Sequence, residues 1–304
     1  MKRRTFVKNL SASTGFLLLP DITAWTAKPM FFDISLAEWS LRVPLRKGAI
    51  SNLDFPEVAR KQYDIGAVEY VSGFFEDKEQ NQTYLKQLRQ RAEDQGVDNA
   101  LIMIDLYQYK TASPDPKERA KAVEMHKPWI DAAHFLGCHA VRVNGNGYDE
   151  KDRQGAADAL ADTLHQLADY GKGSDINVLV ENHGGFSSDG KWLAGVMQQV
   201  NREQVGTLPD FGNNRIKDEE RYDRYLLVEE LMPYAQGVSA KTYDFEPDGT
   251  QGRVDVMRLM KIVKYAGFEG YVGIEFGGKL EEIGPQDGVS KTKRLLEEIG
   301  KQLS

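Results

Sequence analysis

The sequence has a single cysteine, Cys138, among its 304 residues. One thiol cannot form an intramolecular disulfide, and it cannot build a cysteine-ligated zinc site. Long apolar runs are also missing, since no stretch approaches the roughly 18 residues of a membrane-spanning helix. Positive charge is in deficit, because 46 acidic residues outweigh 39 basic ones and give a formal net charge of −7. A nucleic-acid surface needs a concentrated basic face, so this balance disfavours nucleic acid as a partner.

The first 27 residues have the layout of an export signal. A basic start containing Arg3 and Arg4 precedes a short apolar stretch at 16–19, and small residues follow. The arginine pair resembles the twin-arginine signal, which a receptor reads as an address. We therefore expect residues 1–27 to be a signal peptide and residues 28–304 to be one exported, periplasmic domain. If the segment is instead a disordered basic terminus, the protein stays in the cytoplasm.

Eight short apolar segments recur along the rest of the chain, at 31–36, 67–71, 100–105, 140–144, 178–181, 205–210, 237–241 and 271–275. Near-continuous apolar strands of this length are typical of a parallel sheet covered on both faces. Helical patterns lie between them, and several end at a glycine, as at Gly96 and Gly137. Strand and helix alternating eight times predict a single-domain α/β fold, the (β/α)8 TIM barrel. A doubly wound sheet would need a glycine-rich phosphate turn, and the turn at 144–147 is too short for one.

Three carboxylates follow late strands, where a barrel of this kind carries its chemistry. Glu181, Asp210 and Glu275 end the fifth, sixth and eighth predicted strands, so we expect them to converge in the barrel mouth. Such a cluster repels itself unless a cation is present, and oxygen ligands suit magnesium or manganese. The alternative is that each carboxylate pairs with a lysine or arginine in a structural network.

Other strand-end side chains are candidates for binding substrate: Trp39, Glu69, Arg142, Asn144, His183 and Asn213. The Trp39 ring can stack on a sugar face, and Arg142 and Asn144 can bind substrate oxygens or a phosphate. For Arg142 an internal salt bridge is the alternative, and the role of Glu69 is equally open.

Three turns resemble those of a known family. They are the Glu-Asn-His-Gly-Gly turn at 181–185, the Pro-Asp-Phe-Gly-Asn turn at 209–213 and the Gly-Ile-Glu-Phe turn at 273–276. Over roughly residues 31–300 the chain resembles the sugar phosphate isomerase/epimerase group of xylose isomerase-like TIM barrels. The resemblance implies a divalent metal held by Glu, Asp, His and Glu after strands five to eight, and Glu181, Asp210 and Glu275 match three of these.

The fourth ligand position departs from that pattern. The family motif on the seventh strand is His-x-Lys-Asp, and here it is Ser239, Ala240, Lys241 and Thr242. A second family histidine, three residues after the Asp of strand six, is Asn213. Losing the imidazole biases the site toward an all-oxygen shell. His183 is a candidate replacement ligand, and Lys241 can neutralise the carboxylates in place of a metal.

The resemblance implies proton transfer next to the carbonyl of a sugar. Glu181 and Glu275 fit the two carboxylates, one acting as general base and the other as general acid. The enediolate between them needs a preplaced cation, which a metal, Lys241 or both can supply. We expect an isomerase or epimerase acting on a non-phosphorylated sugar, because phosphorylated sugars are scarce outside the cytoplasm. A keto-sugar lyase using β-elimination and a non-catalytic sugar-binding barrel are the alternatives, and self-association is left open.

Overall fold

Strands and helices alternate through the part of the chain that the computed structural model describes, which is residues 30–247, 249–280, 283–284 and 287–304. The predicted export signal lies outside these residues. The strands are β1 (Asp33–Ala37), β2 (Ala67–Val71), β3 (Asp98–Met103), β4 (Ala140–Val143), β5 (Asn177–Glu181), β6 (Val205–Leu208), β7 (Arg215–Lys217), β8 (Glu220–Arg221), β9 (Val238–Thr242) and β10 (Tyr271–Phe276). The helices are α1 (Arg42–Arg46), α2 (Phe55–Tyr63), α3 (Gln82–Gln95), α4 (Pro116–Leu136), α5 (Arg153–Gly171), α6 (Gly190–Val200), α7 (Arg224–Leu231), α8 (Val256–Tyr265) and α9 (Gly288–Leu303).

Eight of the strands form one parallel sheet in the order β6-β5-β4-β3-β2-β1-β10-β9. Its two ends, β6 and β9, are joined by bridges between Thr207 and Ala235 and between Asp210 and Ser239. The Ser239 amide donates a 2.9 Å hydrogen bond to the carbonyl of Pro209 at this seam. The sheet is therefore a nearly closed barrel surrounded by helices, which confirms the predicted single-domain TIM barrel.

Side chains and glycines cap several of the helices. Asp115 and Asp189 accept hydrogen bonds from backbone amides of the first turns of α4 and α6. Such side chains satisfy amides that have no partner within the helix. Gly96 and Gly137 end α3 and α4 with φ values of 59° and 82°, a left-handed conformation that favours glycine.

The barrel interior is filled by an apolar layer of side chains from alternate positions of the strands. Leu101, Leu179 and Leu208 belong to this layer, together with Val71 and Met103. Because successive strand residues point to opposite faces, the residue two positions later on each strand also points inward. The layer therefore supports the side chains at the carboxyl ends of the strands.

A short hairpin, β7–β8, lies between β6 and α7 and was not predicted. Its strands are exposed and carry mostly charged residues, so they show none of the apolar alternation by which a strand is recognised. Among the described residues, no helix combines the length and apolar character needed to cross a membrane.

Candidate active site

The three predicted carboxylates meet at the carboxyl ends of the strands. Glu181 ends β5, Asp210 follows β6, and Glu275 lies near the end of β10. All three are buried, and each offers a ligand atom within 4.8 Å of the others. Glu181 and Asp210 each come two residues after a leucine of the apolar layer, which is why both point into the mouth.

Lys241 pairs with two of these carboxylates. Its Nζ donates to Oε1 of Glu275 at 2.5 Å and lies 3.6 Å from Oδ2 of Asp210. Burial alone would lower the pKa of Lys241, but the surrounding carboxylates outweigh it and raise the pKa, so the ammonium form is held. Burial would likewise raise the pKa of Glu275, but Lys241 outweighs it and holds that pKa below its ordinary value.

A turn after β6 fixes Asp210. Its Oδ1 accepts 2.7 Å hydrogen bonds from the backbone amides of Gly212 and Asn213. The Asn182 side chain accepts from the Asp210 amide at 2.7 Å and donates to the Asp210 carbonyl at 2.9 Å. Burial raises the pKa of Asp210 to about 7, against the opposing effect of Lys241.

Arg142 connects two further carboxylates on the other side of the mouth. Its Nη1 donates to Oδ1 of Asp105 at 2.7 Å, and its Nε lies 2.9 Å from Oε2 of Glu181. The second contact is an ion pair whose alignment is not that of a hydrogen bond. Burial raises the pKa of Glu181 to about 7, opposed by Arg142. Burial alone would also raise the pKa of Asp105, but the positive charge of Arg142 outweighs burial and lowers that pKa.

A cavity of about 120 Å³ opens between these groups, lined by Trp39, Val71, Met103, Asp105, Tyr107, Arg142, Glu181, His183, Lys241 and Glu275. Tyr107 is a residue that the sequence reasoning missed. Its hydroxyl donates to Asp105 at 3.1 Å, and its ring lies 5.9 Å from that of His183. The clue was its place two residues after the strand-end Asp105. Burial and the positive charges of Arg142 and Lys241 lower the pKa of His183.

Other predicted site residues lie behind the lining. Asn213 donates to Oε1 of Glu181 at 2.9 Å, and Asn144 donates to Asp105 at 3.2 Å. Glu69 lies inside the barrel, where its Oε1 accepts from Ser35 at 2.6 Å. Its carboxylate lies over Gly273, because a Cβ built there would come within 2.4 Å of Glu69. The structure thus gives these residues positioning contacts, and their substrate-binding roles remain predictions.

The spacing of Glu181, Asp210 and Glu275 would allow a divalent ion to bridge them. Within the described chain, His183 is not part of that close group. The remaining donors do not fit such an ion well, because the position expected to supply an imidazole is the hydroxyl of Ser239 and the Lys241 ammonium already contacts Glu275. The carboxylates therefore could hold a metal, but the groups around them compete with one.

The fold and this mouth define the class of the molecule, a TIM barrel with buried charged side chains at the carboxyl ends of its strands. Residues 58–299 match the family model of the xylose isomerase-like TIM barrel, and the chain belongs to that family. This agrees with the resemblance seen in the strand-end turns. No curated protein sequence matches the chain.

Solved structures share the fold at low sequence identity. A xylose isomerase domain protein from Planctomyces limnophilus is 16% identical, with a TM-score of 0.67, and the match covers 91% of this chain and 99% of that one. A D-allulose 3-epimerase from Methylomonas sp. is 14% identical, with a TM-score of 0.68 and coverage of 89% and 99%. A xylose isomerase-like TIM barrel protein from Mycobacterium smegmatis, solved with magnesium, is 15% identical, with a TM-score of 0.65 and coverage of 89% and 96%. Sugar epimerases are thus among the structural neighbours.

Proposed function

We propose that the protein is a sugar isomerase or epimerase that moves a proton at the carbon next to a carbonyl. The observation that carries the proposal is that Glu181 and Glu275 are both buried and line one small cavity, each beside a cation. Membership of the family and the epimerases among the structural neighbours support it. Paired carboxylates of this kind act as general base and general acid.

In this mechanism one carboxylate removes the proton from carbon, and the electron pair of the broken C–H bond moves toward the carbonyl oxygen. For epimerisation, the other carboxyl group returns a proton to the opposite face of the same carbon. For isomerisation, it protonates the former carbonyl carbon, while the proton of the neighbouring hydroxyl passes to the former carbonyl oxygen and the hydroxyl carbon becomes the new carbonyl. Burial raises the pKa of Glu181 to about 7, so this group can take and give a proton near neutrality. Lys241 and Arg142 supply positive charge where the enediolate oxygen carries negative charge.

The lining favours a substrate without a phosphate group. Arg142 and Lys241 are both engaged by carboxylates, and the carboxylates of the lining outnumber these two cations. An added phosphate would meet repulsion that no free cation of the lining offsets. Trp39 and Tyr107 add aromatic surface on which a neutral sugar ring can stack. A non-phosphorylated sugar or glycoside derivative therefore fits best.

Magnesium or manganese is a second candidate for the positive charge at the site. The spacing of the three carboxylates supports it, as does the magnesium bound to the mycobacterial structural neighbour. A resident ion would supply Lewis-acid stabilisation of the enediolate when bound.

A lyase is the alternative outcome at the same residues. If the substrate is a 3-keto-glycoside, removal of the same type of proton is followed by loss of a group from the β carbon. The geometry of Glu181 and Glu275 serves either reaction, so product analysis decides between them.

Nuclear magnetic resonance in deuterated water tests the shared deprotonation step. A panel of aldoses, ketoses and 3-keto-glycosides is incubated with the protein, with Mg²⁺ or Mn²⁺ and after chelation. We expect solvent deuterium at the carbon next to the carbonyl, and loss of that exchange in Glu181→Gln. If no substrate exchanges and Glu181→Gln binds sugars as the parent does, the protein is a non-catalytic sugar-binding barrel.

We also propose export through the twin-arginine route, on the strength of the N-terminal pattern alone. Replacing Arg3 and Arg4 by lysines should leave the protein in the cytoplasm, as judged by fractionation of expressing cells. Continued processing and export of that variant would rule the route out.

A further inference from the structure

The six oxygen atoms of Glu181, Asp210 and Glu275 all face positively polarised groups of the protein itself. Oε1 of Glu181 accepts from Asn213, and its Oε2 lies 2.9 Å from Nε of Arg142. Oδ1 of Asp210 accepts hydrogen bonds from two backbone amides. Oε1 of Glu275 accepts from Lys241 at 2.5 Å. Partners of this kind stabilise buried carboxylates, so each oxygen of the cluster already has a group of the protein beside it.

The two remaining oxygens share one donor. Ser239 Oγ lies 3.0 Å from Oδ2 of Asp210 and 3.0 Å from Oε2 of Glu275. A hydroxyl is neutral and has one proton to donate, so it hydrogen-bonds one of these oxygens at a time and offsets no negative charge. The positive charge beside this pair of oxygens is therefore the ammonium of Lys241, which reaches both residues.

The backbone makes room for Lys241 in this position. A Cβ built on Gly212 would lie 2.7 Å from Cδ of Lys241 and 2.5 Å from the hydroxyl of Tyr243. The lysine stem thus runs over a glycine that leaves space for it. The amide of the same Gly212 donates to Asp210, so one turn holds the carboxylate and admits the cation.

We propose that the Lys241 ammonium is the resident cation of the Glu181–Asp210–Glu275 cluster and takes the place of a divalent ion. An ion bridging the three carboxylates would lie close to this ammonium and would be repelled by it. Metal binding would require Lys241 to leave Glu275. The incoming ion would also meet the hydroxyl of Ser239, which is a weaker ligand than a nitrogen atom at the same position. The catalytic consequence, that Lys241 stabilises the enediolate without metal, rests on the proposed function.

Metal-binding measurements test the cation assignment without any need for a substrate. The full chain is loaded with Mn²⁺ or Zn²⁺, dialysed, and assayed for bound metal by plasma mass spectrometry, and affinities are measured by calorimetry. The variants are Lys241→Met, Ser239→His and the double variant. Lys61→Met, an exposed lysine paired with Glu57 on α2, is the matched control.

The parent chain and Lys61→Met should retain no stoichiometric metal. Lys241→Met should bind Mn²⁺ at least about tenfold more tightly, because the change removes a positive charge that repels the ion at close range. Ser239→His should favour Zn²⁺ over Mn²⁺ relative to the parent, because it adds a nitrogen ligand. The double variant should retain one ion per chain.

One ion per chain in the dialysed parent protein, or unchanged Mn²⁺ affinity in Lys241→Met, would overturn the assignment. If the double variant does not fold, as judged by circular dichroism, Lys241→Met alone decides. Turnover, where a substrate is found, should survive chelation in the parent chain and fall in Lys241→Met. Absence of turnover on every sugar would refute the proposed function while leaving the metal measurement fully readable.

Discussion

The two ends of the barrel carry cavities of opposite character. At the amino ends of the strands, a cavity of about 470 Å³ is lined by residues that include Arg60, Asp64 and Lys293. The Arg60–Asp64 pair there is 3.4 Å apart, with side chains 35% and 84% exposed. At the mouth, the cavity is about 120 Å³, and the Arg142–Glu181 side chains are 5% and 1% exposed.

The difference shows that the burial of charge, more than the volume of a cavity, marks the candidate site. Water screens exposed pairs, so they contribute little to stability and leave each group chemically ordinary. In a buried cluster the same charges interact strongly and shift one another's pKa, which is the condition that acid–base chemistry requires. The cavity at the amino ends of the strands is therefore the weaker candidate for an active site, although it is the larger of the two.

The largest expected effect is on turnover. Glu275→Gln should lower kcat by a factor of about 10²–10⁴, because it removes one of the two proton-transferring groups. Glu297→Gln, at the other end of the barrel, is the control and should leave turnover unchanged. Both rates are measured on the substrate that the exchange assay finds, beside melting curves. Equal turnover rates in the two variants would contradict the assignment of the active site to the barrel mouth.

Breaking the buried ion pair should reduce stability strongly. Arg142→Met leaves Asp105 and Glu181 without their cation, and we expect a loss of about 3–5 kcal/mol in the free energy of unfolding. Urea unfolding followed by circular dichroism measures it. A loss below about 1 kcal/mol is typical of an exposed ion pair. Such a result would mean that water reaches the charges in the barrel mouth as it does at the amino ends of the strands.

A pH dependence should come from Glu38, a buried carboxyl just after β1. Burial raises its pKa from 4.5 to about 8, although the Val71 amide and the Asn52 side chain oppose this. The folded state binds this proton more tightly, so its contribution is fully present below pH 4.5 and is lost as the pH rises through 8. Each pKa unit corresponds to about 1.4 kcal/mol.

Glu38→Gln should therefore flatten the decline in unfolding free energy between pH 5 and pH 8, measured by urea titrations at several pH values. The two proteins are compared by the slope of unfolding free energy against pH. The glutamine amide also changes hydrogen bonds, and this shifts the whole curve by a constant amount. A variant that declines as steeply as the parent chain would refute the assignment to Glu38.

The smallest effect is expected at the amino ends of the strands. Arg60→Met removes a half-buried partner of the exposed Asp64, and we expect the unfolding free energy to change by about 0–1 kcal/mol. Turnover should not change, since the residue lies at the opposite end from the mouth. A large loss of stability would show that its hydrogen bonds to the Gln95 and Gly96 carbonyls matter more than the ion pair.

Much of the fold could be predicted because apolar runs and glycine stops are local signals. The predicted strand at 67–71 is β2 without change, and the other barrel strands agree to within a few residues at each end. The β7–β8 hairpin could not be found in this way, because its strands are short, charged and exposed. The seam between β6 and β9 also has no local signal, since it joins residues about thirty positions apart.

The sequence by itself determined the repeat of strand and helix, and it placed Glu181, Asp210 and Glu275 at strand ends. Only the tertiary structure decided which cation each carboxylate meets. Arg142 reaches Asp105 and Glu181 across 37 and 39 positions, and Lys241 reaches Glu275 across 34. These pairings join neighbouring strands of the sheet, and the 3.6 Å contact of Lys241 with Asp210 crosses the seam that closes the barrel. Strand pairing brings residues that are distant in sequence side by side, and the packed barrel excludes the water that would otherwise screen their charges.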